Sequence, residues 1–264
     1  MIHVRTVAPS ATMADVIDRH EVYVGRGSTR EFERVFPTGQ PELTVNLRDG
    51  ELRCYDAATF AAHRERGVLL SGVRTSHYII DTAQLDDMIS VRLHPAGIWR
   101  LFGIPADAFA GAHVLVSEVS GAGWGTLVEQ LRAKVSAEER VRMMEAALRG
   151  RARRASHPAV AGAVARICAA PGRVRVLELA REHGLSFRRF NELFRREVGL
   201  SAKQFVRVRR FQNVRQAIER TPLIEGSRLA ASYGYADQAH MIREFREFTG
   251  FTPAQYAVLR AGMS

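Results

Sequence analysis

The residue types best able to hold a metal ion or move protons in this chain are its histidines, and their spacing argues against both roles. His63, His77, His94 and His113 stand singly. No His-x-His pair, no His-Glu-x-x-His and no Cys-x-x-Cys occurs, so neighbouring positions cannot assemble a cupin-like or zinc-type ligand set. Gly121, Gly123 and Gly125 precede a helical pattern, but the third glycine is misplaced for a dinucleotide fingerprint. No Gly-x-Ser-x-Gly appears. Cys54 and Cys168 lie far apart and read as two reduced thiols. The expectation is a chain with no catalytic residues, no metal and no cofactor.

Charge points elsewhere. Residues 1–148 carry 16 Lys and Arg against 19 Asp and Glu, a net of −3, whereas residues 149–264 carry 22 against 9, a net of +13. A strongly basic C-terminal part implies a polyanionic partner. The same part contains an internal duplication. Leu179, Ala180 and Gly184 match Leu229, Ala230 and Gly234 at an offset of 50; Phe190, Phe194, Gly199, Gln204 and Phe205 match Met241, Phe245, Gly250, Gln255 and Tyr256 at 51.

The elements that must carry these residues follow from periodicity. In the first copy VLELAREH is a short helix ended at Gly184; Ser186 caps FRRFNELFRREV, whose core stripe is Phe187, Phe190, Leu193, Phe194 and Val198. In the second, SRLAASY turns at Gly234 and Asp237 caps QAHMIREFREF. A tight glycine turn between two helices is the form of a helix-turn-helix, and two copies with a basic surface point to double-stranded DNA. Residues 201–219 between them form one helix of about 28 Å at ~1.5 Å per residue. That length suits two recognition helices set on the order of 34 Å apart, one turn of B-DNA.

Ahead of this region, Glu21–Leu93 reads as six or seven short strands: EVYVG, EFERVF, LTVNL, ELRCY, GVLLSG, SHYIID and DMISVRL. Asp49-Gly50 predicts a two-residue hairpin between LTVNLR and ELRCY. From Pro95 three helical patterns follow: AGIWRLFG, GWGTLVEQLRAKV, and AEERVRMMEAALRG with Ser136 as its cap. The expected fold class is α+β: an N-terminal β-rich barrel or sandwich with a helical annex, then an all-α domain of two helix-turn-helix subdomains on a long helix. The expected boundaries are 1–148 for an effector-sensing or dimerisation domain, 149–157 for a basic linker and 158–264 for the DNA-binding domain. No 18-residue apolar stretch or secretory leader is present, so neither a membrane span nor export is expected and the location expected is cytoplasmic.

These C-terminal residues resemble the AraC/XylS family of bacterial transcription regulators. LAASYGYADQAHMIREFREFTGFTPAQY is similar to the family's closing motif, with Phe245-Arg246, Gly250, Pro253 and Tyr256 where it expects them. GLSFRRFNELFRREVGLSAKQFV is typical of its first unit. A departure is Gly226-Ser227-Arg228 in place of an acidic-Ile-Ala run.

The resemblance implies base reading by Arg188, Asn191 and Glu192 in the first unit, and by Gln238, His240 and Arg243 (beside Ala239) in the second. Arg can fork onto guanine, Asn onto adenine, and Glu can accept from cytosine. Phosphate contacts fall to Ser186, Arg195, Arg196, Arg207, Arg209 and Arg246, which set register rather than sequence. The family's N-terminal domains sense ligands or dimerise, so a small-molecule effector, a homodimer and, for an activator, RNA polymerase are the further partners implied. FPTGQPELTVNL and VRLHPAGIWRLFGIPADAF resemble a subgroup with a small barrel-like domain. Pocket candidates there are Tyr23, Phe36, Tyr55, Tyr78 and Trp99. The alternative function is a DNA-binding module fused to an enzymatic β-barrel. A polar cavity with convergent titratable groups would favour the enzyme, a mostly apolar one the sensor.

Overall fold

A computed structural model of the chain describes residues 2–25, 31–151, 154–170, 172–221 and 226–261. Among these residues the N-terminal part holds ten strands: β1 (Ile2–Val7), β2 (Ile17–Gly25), β3 (Phe32–Val35), β4 (Glu42–Asn46), β5 (Glu51–Asp56), β6 (Ala62–Arg66), β7 (Val68–Ser71), β8 (Tyr78–Asp81), β9 (Asp87–Leu93) and β10 (His113–Leu115). They form two open antiparallel sheets, ordered β1-β2-β9-β4-β7-β10 and β3-β8-β5-β6, rather than a closed barrel. All seven stretches with strand-like patterning are strands. The three in addition lie outside that stretch or lack its signal: β1 precedes it, β10 sits in a segment of helical pattern, and β6 is the polar run AHRER at a sheet edge.

Asp49-Gly50 does not make a hairpin. β4 pairs with β7 and β9, β5 with β6 and β8, so the turn is a corner between the two sheets. Asn46 fixes that corner: its amide donates to Asp49 Oδ1 (2.8 Å) and to the Glu51 carbonyl (2.7 Å), and its own Oδ1 accepts from Arg48 N. These side-chain bonds occupy the groups that would continue β4 into a ladder with β5.

Period-2 alternation splits β9 into two chemistries. Ile89, Val91 and Leu93 join Leu43, Val45, Val68 and Leu70 in an apolar layer covered by helices. Those helices are α1 (Gly97–Phe102), α2 (Val116–Ser120), α3 (Trp124–Arg132) and α4 (Ala137–Arg149). Ser136 caps α4 by accepting from Glu139 N, as its sequence predicts. On the inward face Ser90 and Arg92 meet Glu42 and Glu21, so the sandwich interior is partly ionic, beside a small apolar cluster of Leu52, Cys54, Leu69, Leu85 and Met88. Burial pushes the Cys54 thiol up to about 12, keeping it a neutral core group.

The C-terminal part is all helical: α5 (Pro158–Ala169), α6 (Val176–Glu182), α7 (Phe187–Val198), α8 (Ala202–Arg220), α9 (Gly226–Ser232), α10 (Gln238–Thr249) and α11 (Pro253–Ala261). Six phenylalanines, Phe190, Phe194, Phe205, Phe211, Phe245 and Phe248, are fully buried in one core around α8. The segment after α4 lies along the N-terminal domain. Arg154 N donates to the Arg100 carbonyl (2.9 Å), and the Arg151 and Arg154 guanidinium groups cover the rings of Trp124 and Trp99. Ala152 and Arg153 of the expected linker lie outside the described residues.

Candidate nucleic-acid interface and interdomain cavity

The duplication read from sequence recurs atom by atom. In unit one the turn after α6 places Gly184 at φ +64, and Leu185 N donates to the Ala180 carbonyl (3.0 Å); in unit two Gly234 stands at φ +76 and Tyr235 N donates to the Ala230 carbonyl (3.1 Å). Positive φ is what favours glycine at both turns. Ser186 accepts from Arg189 N, and Asp237 accepts from His240 N, capping α7 and α10. Capping boxes then open the following helices, Ser201 with Gln204 and Thr252 with Gln255. The two recognition helices, α7 and α10, are tied to α8 as a common strut of 19 residues, roughly 28 Å long.

On α7 the Arg188 side chain is 91% exposed and pairs with Glu192 (3.0 Å), which Arg189 also approaches (3.6 Å). Asn191 is turned inward: its amide donates to the Phe187 carbonyl and its Oδ1 accepts from Ala202 N. Phe187 is 51% exposed and belongs to the surface, not to the buried core; it shares the face of Phe190 and Phe194, but at the first helical position, with its side chain tilted toward the helix N-terminus, it lies beyond the residues that cover them. On α10, Gln238, Ala239 and Arg243 are exposed, while His240 packs edge-on against the Tyr235 ring.

The arginines divide. Arg195 and Arg246 are exposed in the last turns of the recognition helices. Arg196 lies over Trp99 of the N-terminal domain, Arg207 pairs with Glu244 (2.8 Å) and Glu247 (2.6 Å), and Arg209 donates to the Thr38 carbonyl. The Ser186 hydroxyl serves as a helix cap. Arg189, exposed on α7, went unnoticed in the sequence because nothing in its spacing separates it from Arg188.

A cavity of about 890 Å³ lies between the domains. Tyr23, Phe32 and Phe36 face Phe251, Tyr256 and Leu259 across it, and Arg19, Glu21, Arg34, Arg92, Arg215 and Arg260 add charge. Its walls are thus mixed, neither mostly apolar nor a convergence of free titratable groups. Burial alone would raise the Glu21 carboxyl, but Arg92 and Arg19 outweigh it and hold it below the usual range. Of the pocket candidates, Tyr23 and Phe36 line this cavity. Tyr78 is inside the sandwich under Arg74, Tyr55 stacks on Phe60, and Trp99 sits at the domain contact. The C-terminal lining residues have no local sequence signal, since only docking of the two domains makes them a wall.

Residues 179–258 match the sequence family described as a helix-turn-helix domain, spanning both units and α8. This is the domain type that the AraC/XylS resemblance implies for the C-terminal part. Residues 5–115 match a domain of unknown function, DUF6597. Solved structures similar to this chain include ToxT from Vibrio cholerae, with 8% identity over 98% of each chain and a TM-score of 0.49. Another is the C-terminal domain of AraT, a response regulator from Geobacillus stearothermophilus, with 18% identity over 40% of this chain and 88% of that one, TM-score 0.38. A probable AraC family regulator from Rhodopseudomonas palustris shows 23% identity over 39% and 98%, TM-score 0.36. A search among curated proteins gave no match. The chain is accordingly a DNA-binding transcription regulator; among its described residues no helix is long and apolar enough to cross a membrane.

Proposed function

We propose that this regulator reads two successive major grooves with one chain and that its N-terminal domain adjusts that reading in response to a small molecule. The observation that carries the first half is the repeated turn-cap-recognition-helix unit, both copies of which pack on α8. Arg188 and Glu192 on α7, and Gln238 and Arg243 on α10, are the base readers this reading favours, because their side chains are exposed. Arg195, Arg246 and Arg189 are its phosphate contacts. Asn191 and His240 would have to leave their intramolecular partners to reach a base, and Arg196, Arg207 and Arg209 theirs to reach a phosphate.

The second half rests on the cavity between the domains, whose size suits a small molecule. The enzymatic alternative finds no support there: Glu21 is ionised and engaged by Arg92, whereas a general acid needs its pKa raised. Footprinting of the full chain on genomic DNA tests the reading. Discrete sites with two contact zones about 10 base pairs apart are expected; protection without discrete sites would overturn it.

A further inference from the structure

We propose that Phe187 is a specificity-determining residue of the first helix-turn-helix unit, reading the 5-methyl group of a thymine. This rests on the two-groove reading above and adds an apolar contact to it. Phe187 is the first residue of α7, directly after the Ser186 cap, and its ring is half-exposed. The first turn of a recognition helix is the part that reaches base edges in the major groove. A side chain there, tilted toward the helix N-terminus, projects past the tip. Among the described residues of α7 and α10 no other large apolar side chain is exposed. Core packing does not account for the ring's position either. Leu185, placed where a hydrophobic staple reaches back to Phe190, already packs against the core, and Phe190 and Phe194 are fully buried within it.

The duplication shows what Phe187 replaces. At the 51-residue offset that pairs Phe190 with Met241, Phe187 falls on Gln238, and each opens its recognition helix one residue after the cap. Gln238 offers an amide donor and acceptor; Phe187 offers carbon surface alone. From that position unit one cannot hydrogen-bond a base edge. Thymine is the one base that presents an apolar group in the major groove, so a phenylalanine at the tip selects for it.

The neighbouring side chain agrees. Asn191 stands one turn on, at i+4, on the same side of the helix as Phe187. Its amide donates to the Phe187 carbonyl (3.1 Å), and its Oδ1 accepts from Ala202 N (3.4 Å). The group that would fork onto adenine is thus engaged within the protein, and the ring beside it faces outward. Unit one therefore meets an A·T pair from its thymine side.

The test takes the full chain and a duplex that it selects from a random-sequence pool. Each thymine of that duplex is replaced singly by deoxyuridine, which removes the methyl group and leaves base pairing intact. At one position the replacement should weaken binding by about fourfold, the worth of one buried methyl group. In Phe187→Ala that penalty should vanish while penalties at other thymines persist. Phe187→Leu, still apolar, should keep part of it, and Phe187→Gln, carrying the residue of unit two, should lose it. 7-Deazaadenine opposite the same thymine, lacking the N7 acceptor that an asparagine needs, should leave affinity unchanged. A Phe187→Ala loss shared equally by every duplex, or a uracil penalty that survives in it, overturns the proposal. So does a deazaadenine penalty without a uracil one, which would give the pair to Asn191. A lowered thermal midpoint in Phe187→Leu would make the ring a packing residue and overturn it too. In each of those cases a selected duplex footprinted in two zones leaves the two-groove reading standing; a pool that yields no enriched sequence overturns that reading and this proposal together.

Discussion

Arg210 grips Glu244 with both arms of its guanidinium. Nη2 donates to Oε2 at 2.7 Å and to Oε1 at 2.9 Å, and Nε reaches Oε1 at 3.1 Å, joining α8 to the buried side of α10. Arg207 adds a further bond from the preceding turn. Burial would raise the Glu244 carboxyl, but the bonds from Arg210 and Arg207 prevail and hold it below its ordinary value. Removing one member of a buried pair strands the other, so Glu244→Ala should cost about 3–5 kcal/mol in urea unfolding. Because the folded value is depressed, the pair's contribution is complete above the ordinary carboxylate range and is lost as pH falls through the folded value. A cost under about 1 kcal/mol would mean that the packing of Phe245 and Phe248, not this pair, seats the helix.

Gly199 ends α7 where the DNA-binding domain meets the N-terminal one. It stands at φ +92, and a Cβ there would come 2.5 Å from Val73 Cγ2 and 3.1 Å from the Ala106 carbonyl oxygen. Gly184 has φ +64 with nothing within 4 Å. Both alanine variants carry the left-handed strain of about 1–2 kcal/mol, but only Gly199→Ala also pushes the domains apart. Gly199→Ala should therefore lose clearly more thermal stability and make Arg151 and Arg154, which lie over Trp124 and Trp99, sites of limited proteolysis. Equal losses in the two variants would show that the close approach at Val73 relaxes freely.

How far the sequence could be read follows from the range of each determinant. Gly184, Ser186 and Asp237 act within three or four residues, and the turns and caps they predict are all present. The long helix at 201–219 was legible from its own apolar period and is α8, Ala202–Arg220. Asp49-Gly50 misled because the same dipeptide serves a hairpin and a corner, and the choice belongs to Asn46 and to which strands β4 meets. Phe187 misled because helical period gives the face a side chain occupies but not how far along the helix the core extends, and Phe187 is its first residue. Arg207 and Arg34 depend on partners 37 and 215 residues away, Glu244 and Thr249, which no local pattern reports.

Arg243 and Arg246 stand three residues apart on α10, and both are exposed. Arg243 lies on the outward face of the helix with Gln238 and Ala239, Arg246 in its last turn. Arg243→Ala should relax specificity at one base pair of a footprinted site, costing about 1–3 kcal/mol there and little on a sequence already altered at that pair. Arg246→Ala should weaken all sequences alike and reduce the slope of log affinity against log salt by about one. Binding of arrayed variants of the site at several salt concentrations separates the two; an Arg243→Ala loss that is uniform across sequences would move that residue to a phosphate.

His113 offers a pH dependence whose sign is fixed by its partners. Arg74 can only donate, and its Nη2 lies 2.8 Å from Nε2, so Nε2 is the acceptor and the proton is on Nδ1, donated to Ser71 Oγ at 2.8 Å. Burial first, then Arg74 and His63, push the ring's pKa down to about 3. Below the ordinary histidine value near 6.5 the unfolded chain takes up a proton that the folded one refuses until about pH 3. Stability is therefore full above that value and falls as acid is added, by about 1.4 kcal/mol per pH unit for one such group. His113→Gln keeps an acceptor and a donor on a neutral side chain, so its unfolding free energy between pH 6 and pH 4 should fall less steeply than the parent's by about one proton. His20 and His77, also shifted down by burial, preserve part of the slope. Parallel pH profiles for the two proteins would show that the folded ring already accepts a proton in this range, and that Arg74 moves away to let it.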